Sequence, residues 1–132
     1  MLLTAVMFYV NLMSTDPNLY FEEENIGLCT LSAVVCPYES PEYVQNYIRH
    51  QFDLAGLDGK HAAKVSWLES RYDPSAISKT NDFGYFQFNK RWHPNGVECF
   101  GKPDQLECEV KYAIELVKKS GWNQWTTNKL IK

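Results

Sequence analysis

The stretch "AAKVSWLESRYDPSAISKTNDFGYFQFNKRW", Ala62 to Trp92, changes its periodicity in the middle, and that change sets the fold class. Its first part belongs to "DGKHAAKVSWLESR", which reads as a helix with Ala62, Val65, Leu68 and Glu69 near one face. Pro74 is expected to stop this helix and to push Asp73 out of helical dihedrals, so Glu69 falls in the last turn. From Ala76 onward the helical spacing is gone. Ser78–Asp82 carries turn-forming residues, with aromatics beyond them, which predicts a short β-hairpin with Asp82 at its turn. Gly84 follows directly, at a place where a side chain would block close backbone approach.

Helices are expected on both sides of this stretch. "SPEYVQNYIRHQFDLAG" has Ser40 as N-cap and Pro41 at the first helical position, with Tyr43, Tyr47, Ile48 and Leu54 on one side. "PDQLECEVKYAIELVKKSG" places Leu106, Val110, Ala113 and Val117 in a stripe. Lys118 and Lys119 suit its C-terminus and Gly121 its cap. The class is therefore α+β, mostly helical with one small hairpin. The domain plan is an N-terminal segment, 1–39, of undetermined structure, followed by a folded unit over 40–132.

At 132 residues, 45% hydrophobic and 14% aromatic, the chain has enough apolar mass for one core. The net charge of −3 hides a division. Residues 1–58 hold eight acids and one base, whereas 59–132 hold eight acids and twelve bases. A polyanionic partner suits the second part. Its bases are interspersed with acids and form no cluster, which counts against nucleic acid. The first thirteen residues, "MLLTAVMFYVNLM", are apolar but too few to cross a bilayer as a helix. No base precedes them and "STDPN" follows, unlike an ordinary secretory signal. A buried element or a docking segment is the expectation, beside an unusual signal.

Cys29, Cys36, Cys99 and Cys108 form no C-x-x-C pair, and His50, His61 and His93 have no ligand spacing, so neither a metal nor a cofactor is expected. Two disulfides in an oxidising setting are expected, with the local pairs Cys29–Cys36 and Cys99–Cys108 preferred among three connectivities.

Glu69, flanked by Trp67 and Leu68 at a helix end, is placed where loss of water would keep a carboxyl protonated. Asp82, among Lys79, Thr80 and Asn81, is placed where it would stay hydrated and ionised. Two carboxyls in unlike surroundings are what glycosidic-bond cleavage requires.

The wording of the same stretch resembles the c-type lysozymes in "AAKVSWLESRY" and "NDFGYFQFNKRW". It is also similar to the wider lysozyme-like group, lytic transglycosylases included, in its Glu-Ser-x-aromatic-x-Pro-x-Ala and Gly-x-x-Gln patterns. "CEVKYAIELVKKSGWNQW" looks like the long helix and tryptophan that close that fold, and the likeness covers roughly 58–126. The resemblance implies Glu69 as general acid and Asp82 as nucleophile or electrostatic partner. Gln87 and Asn89, two apart on a strand, and Trp92 at the cleft edge would contact the sugar. Tyr85 is a further substrate-binding candidate that also suits hairpin packing.

The implied partner is a peptidoglycan glycan strand, cleaved at the β-1,4 bond after N-acetylmuramic acid. The implied location is extracellular or virion-associated, with residues 1–39 docking on other virion proteins in the second case. Three departures stand out: a shorter segment between Glu69 and Asp82, His93 in place of an aromatic, and a different cysteine framework. The run Tyr72-Asp73-Pro74-x-Ala76 leans toward transglycosylases that use the Glu alone. A lysozyme-like subunit without catalysis is the remaining alternative.

Overall fold

The computed structural model describes residues 40–131. The docking expectation for residues 1–39 and the Cys29–Cys36 pair lie outside them. Helix α1, Pro41–Leu54, begins as its sequence dictates: Ser40 Oγ accepts the Tyr43 backbone N–H at 3.1 Å, and Pro41 occupies the first turn. Its buried apolar face is Val44, Ile48 and Phe52. Tyr43 and Tyr47 pack at its margin, stacked on each other at 6.4 Å. Leu54, expected on the core side, is 70% exposed. Two residues past Phe52 is about 200° of helical rotation, which carries Leu54 to the far side.

Helix α2, Gly59–Ser70, is capped by Asp58, whose carboxylate accepts from the His61 backbone N–H at 3.1 Å. It meets α1 closely at Gly59, where a Cβ would collide with the Arg49 carbonyl oxygen. The Gly59 N–H donates to Asp53 Oδ1 at 2.9 Å. Gly59, Ala62, Ala63, Ser66 and Ser70 form the buried stripe together with Val65, and Leu68 and Glu69 lie half-buried beside it. The helix ends before Pro74 acts. Arg71 and Tyr72 take left-handed conformations with φ of 55° and 60°, and the Arg71 N–H bonds to the Trp67 carbonyl.

The hairpin is minimal: β1, Asp82–Phe83, pairs antiparallel with β2, Phe88–Asn89, in the register Asp82–Asn89 and Phe83–Phe88. Its turn is Gly84–Gln87, so Asp82 stands on a strand and not at the turn itself. The polar run Ser78–Asn81 forms a separate turn, closed by the Ser78 N–H on the Asp82 carbonyl and by a bridge between Ile77 and Phe83. Two turns follow one another here, and turn residues alone do not say which closes the ladder.

A short helix α3, Pro94–Val97, leads to helix α4, Gln105–Ser120, and then to a 3₁₀ turn, Thr126–Leu130. The expected Cys99–Cys108 disulfide is present and ties the segment after α3 to the first turn of α4. Leu106, Val110, Ala113 and Val117 bury the expected stripe of α4, and Gly121 caps it with φ of 71°. The architecture is mostly helical with one small antiparallel sheet, as an α+β chain should be.

The core sits where the hairpin meets the helices. Tyr85, Phe86 and Phe88 are fully buried or nearly so, with Phe86 6.2 Å from Phe52 and 6.0 Å from Trp125 between ring centres. Each such aromatic contributes roughly 2–3 kcal/mol by leaving water. These side chains hold the hairpin against the helical body.

Candidate functional site

Polar groups complete what the aromatics begin. The Tyr85 carbonyl receives the hydroxyls of Ser66 at 2.9 Å and Ser70 at 2.8 Å, both from α2. The Phe86 carbonyl receives the indole N–H of Trp125 at 2.9 Å. On the other side, the backbone N–H groups of Tyr85 and Phe86 donate to the two carboxyl oxygens of Glu109 on α4, at 3.2 and 3.1 Å. Gly84, with φ of 81°, passes so close to that carboxyl group that a Cβ would overlap it. This is the close approach expected at Gly84, with the Glu109 side chain as its cause. The turn is therefore fixed to α2 and α4 through its own backbone.

Its placement sets Asp82 relative to Glu69. Glu69, in the last turn of α2, is half-buried, and its Oε1 accepts the Thr127 hydroxyl at 2.8 Å. Burial pushes its pKa up, the Thr127 hydrogen bond partly opposes this, and the charge of Asp82 adds to the rise. Asp82 differs. Burial alone would raise its pKa, but three donors outweigh burial and bring it below the usual value. They are Ser78 Oγ at 2.6 Å, Thr80 Oγ1, and Asn89 Nδ2 at 2.9 Å. One carboxyl is thus biased toward its neutral form and the other toward its charged form, with the charge of the second felt by the first.

Beside Asp82 lies a concavity of about 260 Å³, whose lining includes Gln87, Asn89, Trp92, His93, Gln124 and Trp125. Four of the residues singled out from sequence, Asp82, Gln87, Asn89 and Trp92, thus share one surface, and Glu69 is not part of its lining. Trp92 is 68% exposed and carries the Arg91 guanidinium 4.7 Å from its ring centre. Asn89 serves the loop as well as the surface: Nδ2 also donates to the Thr80 carbonyl at 3.0 Å, and Oδ1 accepts the Arg91 N–H.

Gln87 is in the turn, with φ of 53°, and not on a strand with Asn89. Its amide donates to the carbonyls of Ala76 and Gly84, at 3.0 and 2.9 Å, so it braces the turn while bordering the concavity. Tyr85 is fully buried in the core, which gives it the packing role of the two open to it. His93 borders the concavity with Nδ1 3.0 Å from the Tyr112 hydroxyl, and burial lowers its pKa.

Two of the larger concavities among the described residues lie elsewhere. One, about 370 Å³, lies between α1 and α4 beside Tyr47, Val110 and Ile114. The other, about 450 Å³, lies beside the disulfide. Neither has Glu69 or Asp82 in its lining, and size without converging reactive groups does not make a reaction site. Among the described residues no group of three or more His, Cys, Asp or Glu is placed to hold a metal ion, and no helix is long and apolar enough to cross a membrane.

Sequence reasoning missed Glu109, Thr127, Ser66 and Ser70. Glu109 was open to detection, because it sits three residues after Leu106 and four before Ala113 on the buried stripe. Thr127 had no such signal, since it meets Glu69 across 58 residues of sequence. No protein-family model, curated protein or solved structure matches the chain.

Proposed function

We propose that the protein is a peptidoglycan-cleaving glycosidase of lysozyme-like fold, acting on the β-1,4 bond between N-acetylmuramic acid and N-acetylglucosamine. The observation that supports this best is the opposed bias of two neighbouring carboxyls, Glu69 raised by burial and Asp82 lowered by its three donors. In this reading Glu69 protonates the glycosidic oxygen as the bond breaks, and the Asp82 carboxylate stabilises the oxocarbenium-like carbon or attacks it. Glu69, now charged, then takes a proton from the attacking water. The concavity beside Asp82, edged by Trp92, would seat a sugar ring. This division of labour is that of the lysozymes, carried over by the resemblance of residues 62–92.

The test is clearing of bacterial cell walls by the full chain beside Glu69→Gln. The wild type should clear them, and the variant should lose roughly 10²–10⁴-fold in turnover with an unchanged melting temperature. A wild type that releases no glycan fragments, or a variant that keeps its rate, rejects the proposal.

A second reading, a lytic transglycosylase using Glu69 alone, is favoured by the run Tyr72-Asp73-Pro74-Ser75-Ala76. In that chemistry the sugar's own 6-hydroxyl attacks, and the product is one water lighter, which mass spectrometry of the digest separates from hydrolysis.

A further inference from the structure

The 3₁₀ turn at the end of the described chain has fixed anchors on either side of Thr127. Ahead of it, Trp125 is buried and donates its indole N–H to Phe86 in the hairpin turn. Behind it, Asn128 Oδ1 lies 2.7 Å from His61 Nε2 in the first turn of α2, and the His61 ring packs on Trp122 at 4.5 Å. Thr127, half-buried between these anchors, reaches the opposite end of α2 and donates to Glu69 Oε1. The turn thus grips α2 near its start and near its end. Among the described residues, this hydroxyl is the hydrogen-bond partner of Glu69, and the bond falls on Oε1.

We propose that Thr127 is a positioning residue for Glu69: its hydroxyl holds Oε1, keeps Oε2 as the proton-transferring oxygen, and supports the carboxylate left after the proton is delivered. This rests on the glycosidase reading above. The chemistry gives the bond its purpose. Once the acid has given up its proton, it must persist as a half-buried carboxylate until it acts as base, and a donor fixed on Oε1 stabilises that form. The titratable group whose charge acts on Glu69 is Asp82, on β1, and it disfavours the carboxylate. The Thr127 hydroxyl is the counterweight.

The experiment uses the full chain carrying a ¹³C label at its Glu side-chain carboxyls, with Glu69→Gln assigning the Glu69 resonance. Thr127→Val and Thr127→Ala remove the donor, and Thr127→Ser keeps it. Hydrogen bonds to charged groups are strong enough that the two donor-free variants should raise the Glu69 titration midpoint by about one pH unit. The serine variant should stay near wild type. On cell walls, the donor-free variants should lose roughly tenfold in kcat with KM little changed, and the alkaline limb of the pH profile should move upward with the titration.

A midpoint unmoved in the donor-free variants overturns the inference, as does a serine variant that titrates like valine. A kcat loss with no change in titration overturns it too, since general loosening of the turn would do that. The titration does not depend on turnover. A wild type inactive on every wall preparation would remove the glycosidase reading, while the midpoints still decide whether Thr127 controls the Glu69 proton.

Discussion

The underside of the hairpin and its outer edge each hold an acidic side chain in hydrogen bonds, with opposite results. On the underside, Glu109 is 1% exposed and accepts from the N–H groups of Tyr85 and Phe86 and, at 2.8 Å, from the Gln105 amide. Burial still dominates these three donors, and the pKa rises to about 7. At the edge, Asp82 also has three donors, but it keeps contact with water, and the donors prevail. An equal number of hydrogen bonds gives opposite shifts because the cost of desolvating a charge depends on how completely water is removed. Glu69 lies between them, half-buried with one donor, and burial decides. That intermediate setting suits a group that must both hold and release a proton.

The severest way to disturb the underside is Gly84→Ala. The new methyl group would overlap the Glu109 carboxyl, and the backbone there has a φ that side chains disfavour. Unfolding in urea should show a loss of about 3 kcal/mol or more. Ala at Gly101, which has a similar φ of 78° but open space around it, should cost only about 1 kcal/mol. Equal losses at both sites would mean that the contact with Glu109 contributes nothing.

The next largest effect is on pH dependence. Glu109 binds its proton more tightly folded than unfolded, its value moving from 4.5 to about 7. Its contribution is therefore fully present below about pH 4.5 and is lost as pH rises through about 7, on the order of 3 kcal/mol in all. Urea midpoints measured across that interval should fall with rising pH in the wild type and fall less steeply in Glu109→Gln. A wild type whose midpoint rises over the interval would contradict the assignment. Asp82 acts in the reverse sense: its lowered value adds stability above the unfolded carboxyl range, and that stability is lost as pH falls through its folded value.

The smallest effect expected is at the edge. Ser78→Ala removes one donor to the Asp82 carboxylate, along with the side chain that accepts the Thr80 and Asp82 N–H groups. Because the loop is largely exposed, stability should change by no more than about 1 kcal/mol. The Asp82 titration, followed by NMR, should nonetheless move upward. An unchanged midpoint would show that water replaces the serine without loss, and the contrast with Glu109 would then rest on burial alone.

Local signals in the chain were sufficient for much of this. Ser40, Pro41 and Gly121 mark helix ends through short-range rules of hydrogen bonding and dihedral preference, and each stands where those rules put it. The stripe of α4 follows from 3.6-residue spacing over four turns, which is long enough to be unambiguous. In α1 the expected face of Tyr43, Tyr47, Ile48 and Leu54 holds at Ile48, which is fully buried, is marginal at the two half-buried tyrosines, and fails at Leu54, because apolar character alone does not fix the centre of a buried stripe. The hairpin was visible as a change of period. Its turn was misplaced because Ser78–Asn81 and Gly84–Gln87 are both turns, and only pairing between Asp82 and Asn89 distinguishes them.

By itself, then, the sequence determined the three long helices, the caps Ser40 and Gly121, the presence of one hairpin, the pairing of Cys99 with Cys108 as the short-loop choice, and Glu69 and Asp82 as two carboxyls in unlike local settings. Only the tertiary structure decided that Glu109 lies beneath the hairpin, that Gln87 and Tyr85 brace it from within, and that Thr127 reaches Glu69. The reason is physical. Caps and stripes arise from contacts within a few residues. The proton affinity of a carboxyl depends on water excluded and donors supplied by segments that come together only when the whole chain has packed.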